Sequence, residues 1–362
     1  MKKRKRRLIS LAFILIIIVA LVIVLKPVAI KTALRIHGYS KESAEYFYKN
    51  DLVKKAYDNK YNETSDKMIQ NDIYVDKYFD NYYDIEYLDD NEFFKEFVNK
   101  LLDTGYNTNL VNKIFTNTTK TNIEYLSNNK VEDIDKYMDV KIYKPDRIER
   151  YLNNVKEDYD KTVLYVNMDR DKKAYEDPNI IEKYSTTVLV NQHNMLNKDF
   201  KPELVELDKC SSEGHYLSKE AKEAYDKMCD AATSEGYLIE ANSSYRDYDT
   251  QVATVNYYLK FYGEDYTNKY VAKPGYSEHQ TGLAIDVKSK NGSPFKTTKE
   301  YKWMVDNSYK YGFILRYPEG REEELGYSAE SWHFRYVGEE IAKYIYENNL
   351  IYDEYYALFL DK

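Results

Sequence analysis

The sequence predicts an α+β domain that follows a transmembrane helix and a mainly helical spacer. Three observations carry this expectation. A basic cluster leads straight into a long uncharged run near the N-terminus. A polar middle section places apolar residues at helical spacing. From about Thr186, short apolar runs alternate irregularly with amphipathic stretches, as in domains that pack helices against an antiparallel sheet.

Residues 2–7 (KKRKRR) precede the run LISLAFILIIIVALVIVL at residues 8–25. As a helix that run covers roughly 27 Å, close to the ~30 Å of a bilayer core. A cleaved signal peptide has an apolar region of about 7–15 residues and then a small-x-small site. Neither pattern is visible, so a retained signal anchor is expected. Residues 1–7 are then a cytoplasmic basic flank and 8–25 the membrane span. Residues from Lys26 onward face outside, because basic flanks stay in the cytoplasm. The expectation is a single-pass protein of the cell membrane with an extracellular body.

The formal charge of −8 conceals a split. Residues 1–30 hold seven of the 53 Lys and Arg and no acid, which leaves 46 basic against 61 acidic residues, a net of −15. Such a body is ill suited to nucleic acid, where attraction to phosphate dominates affinity. No protein partner is expected from the sequence. The 41 tyrosines, beside abundant Asn and Lys, read as compositional bias.

Residues 26–185 are expected to form a helical stalk. Phe93, Phe94, Phe97, Leu101 and Leu102 make an apolar helical stripe. Gly38-Tyr39-Ser40 and Gly105-Tyr106-Asn107 each open a predicted helix, and Ile85-Glu86-Tyr87-Leu88 recurs as Ile123-Glu124-Tyr125-Leu126. Two such echoes fall short of the three or so repeats a solenoid needs.

Residues 186–362 are expected to be the catalytic domain. Strands are predicted at 188–190, 237–241 and 313–317. Helices are predicted at 218–235, which puts Ala221, Ala224, Tyr225, Met228, Cys229 and Ala232 on one face, at 250–262 ending at Gly263, at 298–311, and from Glu339. Cys210 and Cys229 read equally well as a disulfide outside the membrane or as unpaired residues, with Cys229 a small buried hydrophobe.

Within this domain, His279 stands seven residues ahead of Asp286, with Gly282 between them, and Glu330-Ser331-Trp332-His333 follows. Two histidines and an aspartate would leave one position of a tetrahedral zinc open for water. Glu330 would be free to take that water's proton. The spacing alone fits equally a His–Asp hydrogen bond that locks two strands. Glu330 could instead orient a histidine. Arg246, just after a predicted strand, suits a carboxylate, which a planar guanidinium grips with two parallel hydrogen bonds.

These residues also resemble a family. The stretch from Ser277 to Val287, SEHQTGLAIDV, is similar to the signature of VanY-type D-alanyl-D-alanine carboxypeptidases. Trp332-His333-Phe334-Arg335-Tyr336-Val337-Gly338 resembles that family's second signature. Ser243-Ser244-Tyr245-Arg246 with Gln251 resembles a third, and Leu189-Val190-Asn191 with Asn194 its opening strand. The resemblance spans residues 143–338. It implies a small antiparallel sheet with helices, Zn2+ held by His279, Asp286 and His333, and Glu330 as general base. It also implies substrate contacts from Arg246, Ser277 and Gln251, and hydrolysis of the C-terminal residue, D-alanine, of peptidoglycan stem peptides. Ser331 replaces a usual proline and Ser244 a usual glycine, which bears on substrate preference between D,D and L,D bonds. An endopeptidase of the same fold and a non-catalytic wall-binding protein are the alternatives.

Overall fold

A computed structural model describes residues 2–88 and 93–361, except for the side chains of residues 2–10 and 12. The chain divides into two compact units, residues 1–152 and 153–362. Side chains of the basic flank at residues 2–7 lie outside the described ones.

The first unit opens with one helix, Lys2–Ile36, which runs past the predicted span and through Pro27. Its segment Phe13–Ile36 is long and apolar enough to cross a membrane. Short helices follow, several started by a side-chain cap. Ser40, Asn62 and Asn107 each accept a hydrogen bond from the backbone three residues on. The Gly-Tyr echo has a physical basis. Tyr39 and Tyr106 are both buried, and the residue after each is the cap of the next helix. The Ile-Glu-Tyr-Leu echo does not. Ile85 lies in a loop and Ile123 in the helix Lys120–Asn128. Of the predicted stripe, Phe94, Phe97, Leu101 and Leu102 are buried, while Phe93 caps the helix Phe94–Thr104.

The second unit starts ahead of Thr186. Helix Tyr159–Asn167 leads to Met168, which packs with Tyr317, Leu325 and Ile351. Strand β1 (Asn179–Ile181) then pairs in parallel with β2 (Asn194–Leu196). The predicted strand at 188–190 is absent. That segment is buried but irregular, and the Val188 carbonyl accepts from the Arg335 guanidinium instead of a ladder partner. A hairpin of β3 (Leu204–Glu206) and β4 (Tyr216–Ser218) follows. Ser218 caps helix Lys219–Ser234, whose buried face is the predicted set. Cys229 on that face forms a disulfide with Cys210.

The central sheet has the order β5-β6-β8-β7, antiparallel throughout, from β5 (Ile239–Ser243), β6 (Ala284–Ser289), β7 (Phe313–Tyr317) and β8 (Glu330–Tyr336). Successive side chains of a strand face opposite sides. Leu283, Ile285 and Val287 enter the core with Phe334, Tyr225 and Met228. The alternate positions, Asp286 and His333, therefore emerge together on the other face. The stretch Tyr248–Tyr270 breaks at the predicted stop, since Gly263 (φ 81, ψ 175) is non-helical, and a second helical segment follows directly and runs to Tyr270.

Candidate active site

The sheet register assembles the site. Asp286 on β6 is directly paired with His333 on β8, and Ser243 on β5 is its other neighbour, reached through a bulge. His279 sits in the short 3-10 turn Glu278–Thr281, which closes at Gly282 (φ 70) just before β6 begins. All three side chains are buried, and one donor atom from each lies within 4.8 Å of the others. Asp286 Oδ1 is 3.4 Å from His279 Nε2 and 3.3 Å from His333 Nδ1.

Each imidazole is aimed by its other nitrogen. His279 Nδ1 lies 2.7 Å from the Ser244 carbonyl, which can only accept, so Nε2 turns its lone pair inward. His333 Nε2 lies 3.3 Å from Glu278 Oε2, which frees Nδ1 in the same way. Asp286 Oδ1 has no well-aligned donor even at 3.3–3.4 Å from two ring nitrogens. Two imidazole nitrogens and a carboxylate oxygen converging on one point suit a zinc-type cation, so the residues fit one.

Electrostatics sharpen this. Burial alone would raise the Asp286 carboxyl, but His279 and His333 outweigh it and hold it far below the usual range. Burial depresses His279. It also opposes charge on His333, yet Asp286 and Glu278 raise that group to about 9, so a cation at the donor point would take the place of the Nδ1 proton. Glu330 Oε2 is 3.5 Å from His333 Nδ1, and burial pushes its carboxyl up to about 7.

Sequence reasoning assigned no role to Glu278. Its carboxylate is fully buried and accepts from Arg316 Nε at 2.8 Å and Arg335 Nη1 at 2.9 Å. Burial would raise it, but the two guanidinium groups prevail and keep it ionised. Arg316 also pairs with Asp353 at 2.7 Å, which Asn191 Nδ2 holds at 2.8 Å. The available signal was an arginine inside each of two apolar strands, FILRY and WHFRY.

A cavity of about 630 Å³ opens over the cluster, and Arg246, Gln251, Ser277, Glu330 and Trp332 all line it. Arg246 donates to Gln251 Oε1 at 2.7 Å and Ser243 Oγ at 3.3 Å. Gln251 in turn donates to the Ala272 carbonyl. The expected substrate-contact residues thus line one cavity, with Gln251 engaged in holding Arg246.

Sheet and donor cluster together define an α+β protein with a three-residue cluster that could hold a metal ion, open to a cavity. Residues 214–339 match the sequence model of the family described as VanY, D-alanyl-D-alanine carboxypeptidase. The bifunctional D-Ala-D-Ala dipeptidase and carboxypeptidase VanXYC of Enterococcus gallinarum is 35% identical over 179 residues, 48% of this chain and 94% of VanXYC. YodJ of Bacillus subtilis is 45% identical over 146 residues, 39% of this chain and 54% of YodJ, so the chain spans about half of that relative's length. The solved LdcB LD-carboxypeptidase is 39% identical with a TM-score of 0.46, covering 51% of this chain and 92% of that one. The chain belongs to the VanY D-alanyl-D-alanine carboxypeptidase family.

Proposed function

We propose that this protein is a zinc-dependent carboxypeptidase that removes the C-terminal D-alanine of peptidoglycan stem peptides. The observation that carries the reading is His279 Nε2, Asp286 Oδ1 and His333 Nδ1 converging beside Glu330, in the cavity that Arg246 lines. Relatives named for D-Ala-D-Ala carboxypeptidase activity support it.

Zinc held by His279, Asp286 and His333 would make water acidic enough to attack at neutral pH and would polarise the scissile carbonyl. The chain's own residues do the rest. Glu330 takes a proton from the attacking water and delivers it to the leaving amine, so a C–O bond forms as the C–N bond breaks. Arg246, steadied by Gln251 and Ser243, pairs with the terminal carboxylate, and Ser277 adds a hydrogen bond. Ser244 and Glu278 hold the two rings in register with the donor point.

Residues 8–25 anchor the chain in the cell membrane, the rest of the first unit to residue 152 serves as spacer, and the second unit, residues 153–362, acts outside. The apolar helix, with basic residues on its N-terminal side, supports this topology.

Mass analysis of products from pentapeptide and tetrapeptide stems tests the reading. Loss of one terminal residue is expected, and cleavage inside the stem would refute it. Glu330→Gln should retain metal while turnover falls about 10²–10⁴-fold. Undiminished turnover in that variant would remove Glu330 from its role.

A further inference from the structure

A second cavity, of about 200 Å³, opens beside the one over the donor cluster. Tyr317 and Trp332 line both, so the two spaces adjoin. Leu315 adds an apolar wall, and the exposed ion pair of Lys296 and Glu319 lines the same space. Lys296 donates to Glu319 Oε1, and a carboxylate accepts several hydrogen bonds, so Oε2 can take another. Ser331 also lines this cavity, at the position where the family pattern has proline.

The order of the sheet decides what reaches it. Arg246 is bonded to Ser243 of β5, at one edge. Asp286 and His333 follow on β6 and β8, and Tyr317 lies on β7 at the other edge. A peptide with its terminal carboxylate on Arg246 and its scissile carbonyl at the donors is therefore headed for β7. Neighbouring strands stand about 4.8 Å apart, so β7 lies roughly 7 Å from a point between β6 and β8. A long side chain on the residue that owns the carbonyl covers that distance, and a methyl group does not. Tyr317 marks how short the step is, being paired with Glu330 and holding its ring centroid 5.0 Å from that of His333.

We propose that this cavity receives the side chain of the residue whose carbonyl is attacked, and that it selects a long side chain ending in an amine. The inference rests on the carboxypeptidase reading of the neighbouring site. The aliphatic stem lies against Leu315, Tyr317 and Trp332, while the ammonium meets Glu319. A methyl group would leave the space to water, whose share of liquid volume is about 30 Å³. The bond so selected joins a dibasic residue to the terminal D-alanine, as in a tetrapeptide stem. In a pentapeptide the corresponding side chain is only a methyl group.

The test gives the full metal-loaded chain three peptides ending in X–D-alanine, with X lysine, norleucine or alanine in one configuration. Norleucine should exceed alanine in kcat/KM by about tenfold or more, through its buried methylenes. Lysine should exceed norleucine by about two- to fivefold, as befits an exposed ion pair. Glu319→Gln should erase the lysine advantage and spare that of norleucine. Ser331→Val, which narrows the cavity, should reduce the lead of norleucine over alanine. Each readout is a ratio within one variant, so a general loss of activity does not move it. Equal values for norleucine and alanine in the wild type, or for lysine and norleucine, overturn the assignment. So does a lysine advantage that survives Glu319→Gln, or a norleucine lead untouched by Ser331→Val. If no peptide is cleaved, the carboxypeptidase reading fails by itself, and titrating the chain with the same peptides decides the cavity. Tighter binding of the lysine peptide that Glu319→Gln weakens supports it, and equal affinities overturn it.

Discussion

His279, Asp286 and His333 drew attention in the sequence as two histidines in glycine- or aromatic-rich surroundings and an acid ending an apolar run, but their spacing fitted a His–Asp hydrogen bond equally, and only the family resemblance joined them into one donor set. Glu278 was not, although it adjoins His279. Its meaning lies in Arg316 and Arg335, which are 38 and 57 residues away and meet it only when β7 and β8 pair. An unpaired charge left in such a place costs roughly 3–5 kcal/mol. Glu278→Gln takes a shared carboxylate from two buried guanidinium groups, leaving Arg316 only Asp353 and Arg335 only backbone carbonyls, so thermal unfolding should show a loss at or below that size. Zinc affinity should drop about 10–100-fold as His333 loses its anchor. An unchanged melting temperature with unchanged zinc affinity would contradict the assignment.

Among the elements, the buried face of helix Lys219–Ser234 matches its prediction because helical periodicity defines it, and strand β7 matches as a short run, FILRY, buried on both faces. The segment at 188–190 misleads because it is apolar yet serves an arginine with its carbonyl, and a carbonyl carries no side-chain signature. Gly282 governs the turn that delivers His279. It sits at φ 70, and a Cβ there would meet Leu204 Cδ2 at 3.0 Å and the Ser218 nitrogen at 3.2 Å. A left-handed conformation alone costs a non-glycine residue about 1–2 kcal/mol. Gly282→Ala should therefore lower stability by at least about that much in denaturant titration. It should weaken zinc binding as well, because the turn and β6 must shift together. Wild-type affinity in a destabilised variant would show that the donor geometry is set elsewhere.

At the scale of the whole molecule, the second unit carries a concentration of buried charge, and a cation bound at the proposed site would add to its stability. Metal that binds only the folded state stabilises it by about 2.7 kcal/mol at a hundred times its Kd. Chelation should lower the melting temperature of the full chain by several degrees, and zinc should restore it. A melting temperature indifferent to both would mean that the cluster holds no metal. The sequence concealed that residues 153–185 pack into this unit, because their polar composition resembles the stalk while single residues such as Met168 make the contact.

The Cys210–Cys229 bond adds a consequence of place. It closes a loop of 19 residues over helix Lys219–Ser234, and such closure contributes on the order of 3 kcal/mol. Thiols remain reduced in the cytosol and oxidise beyond it. On the proposed topology, a nascent copy becomes fully robust only once it has crossed the bilayer, so stranded copies fall first to proteolysis.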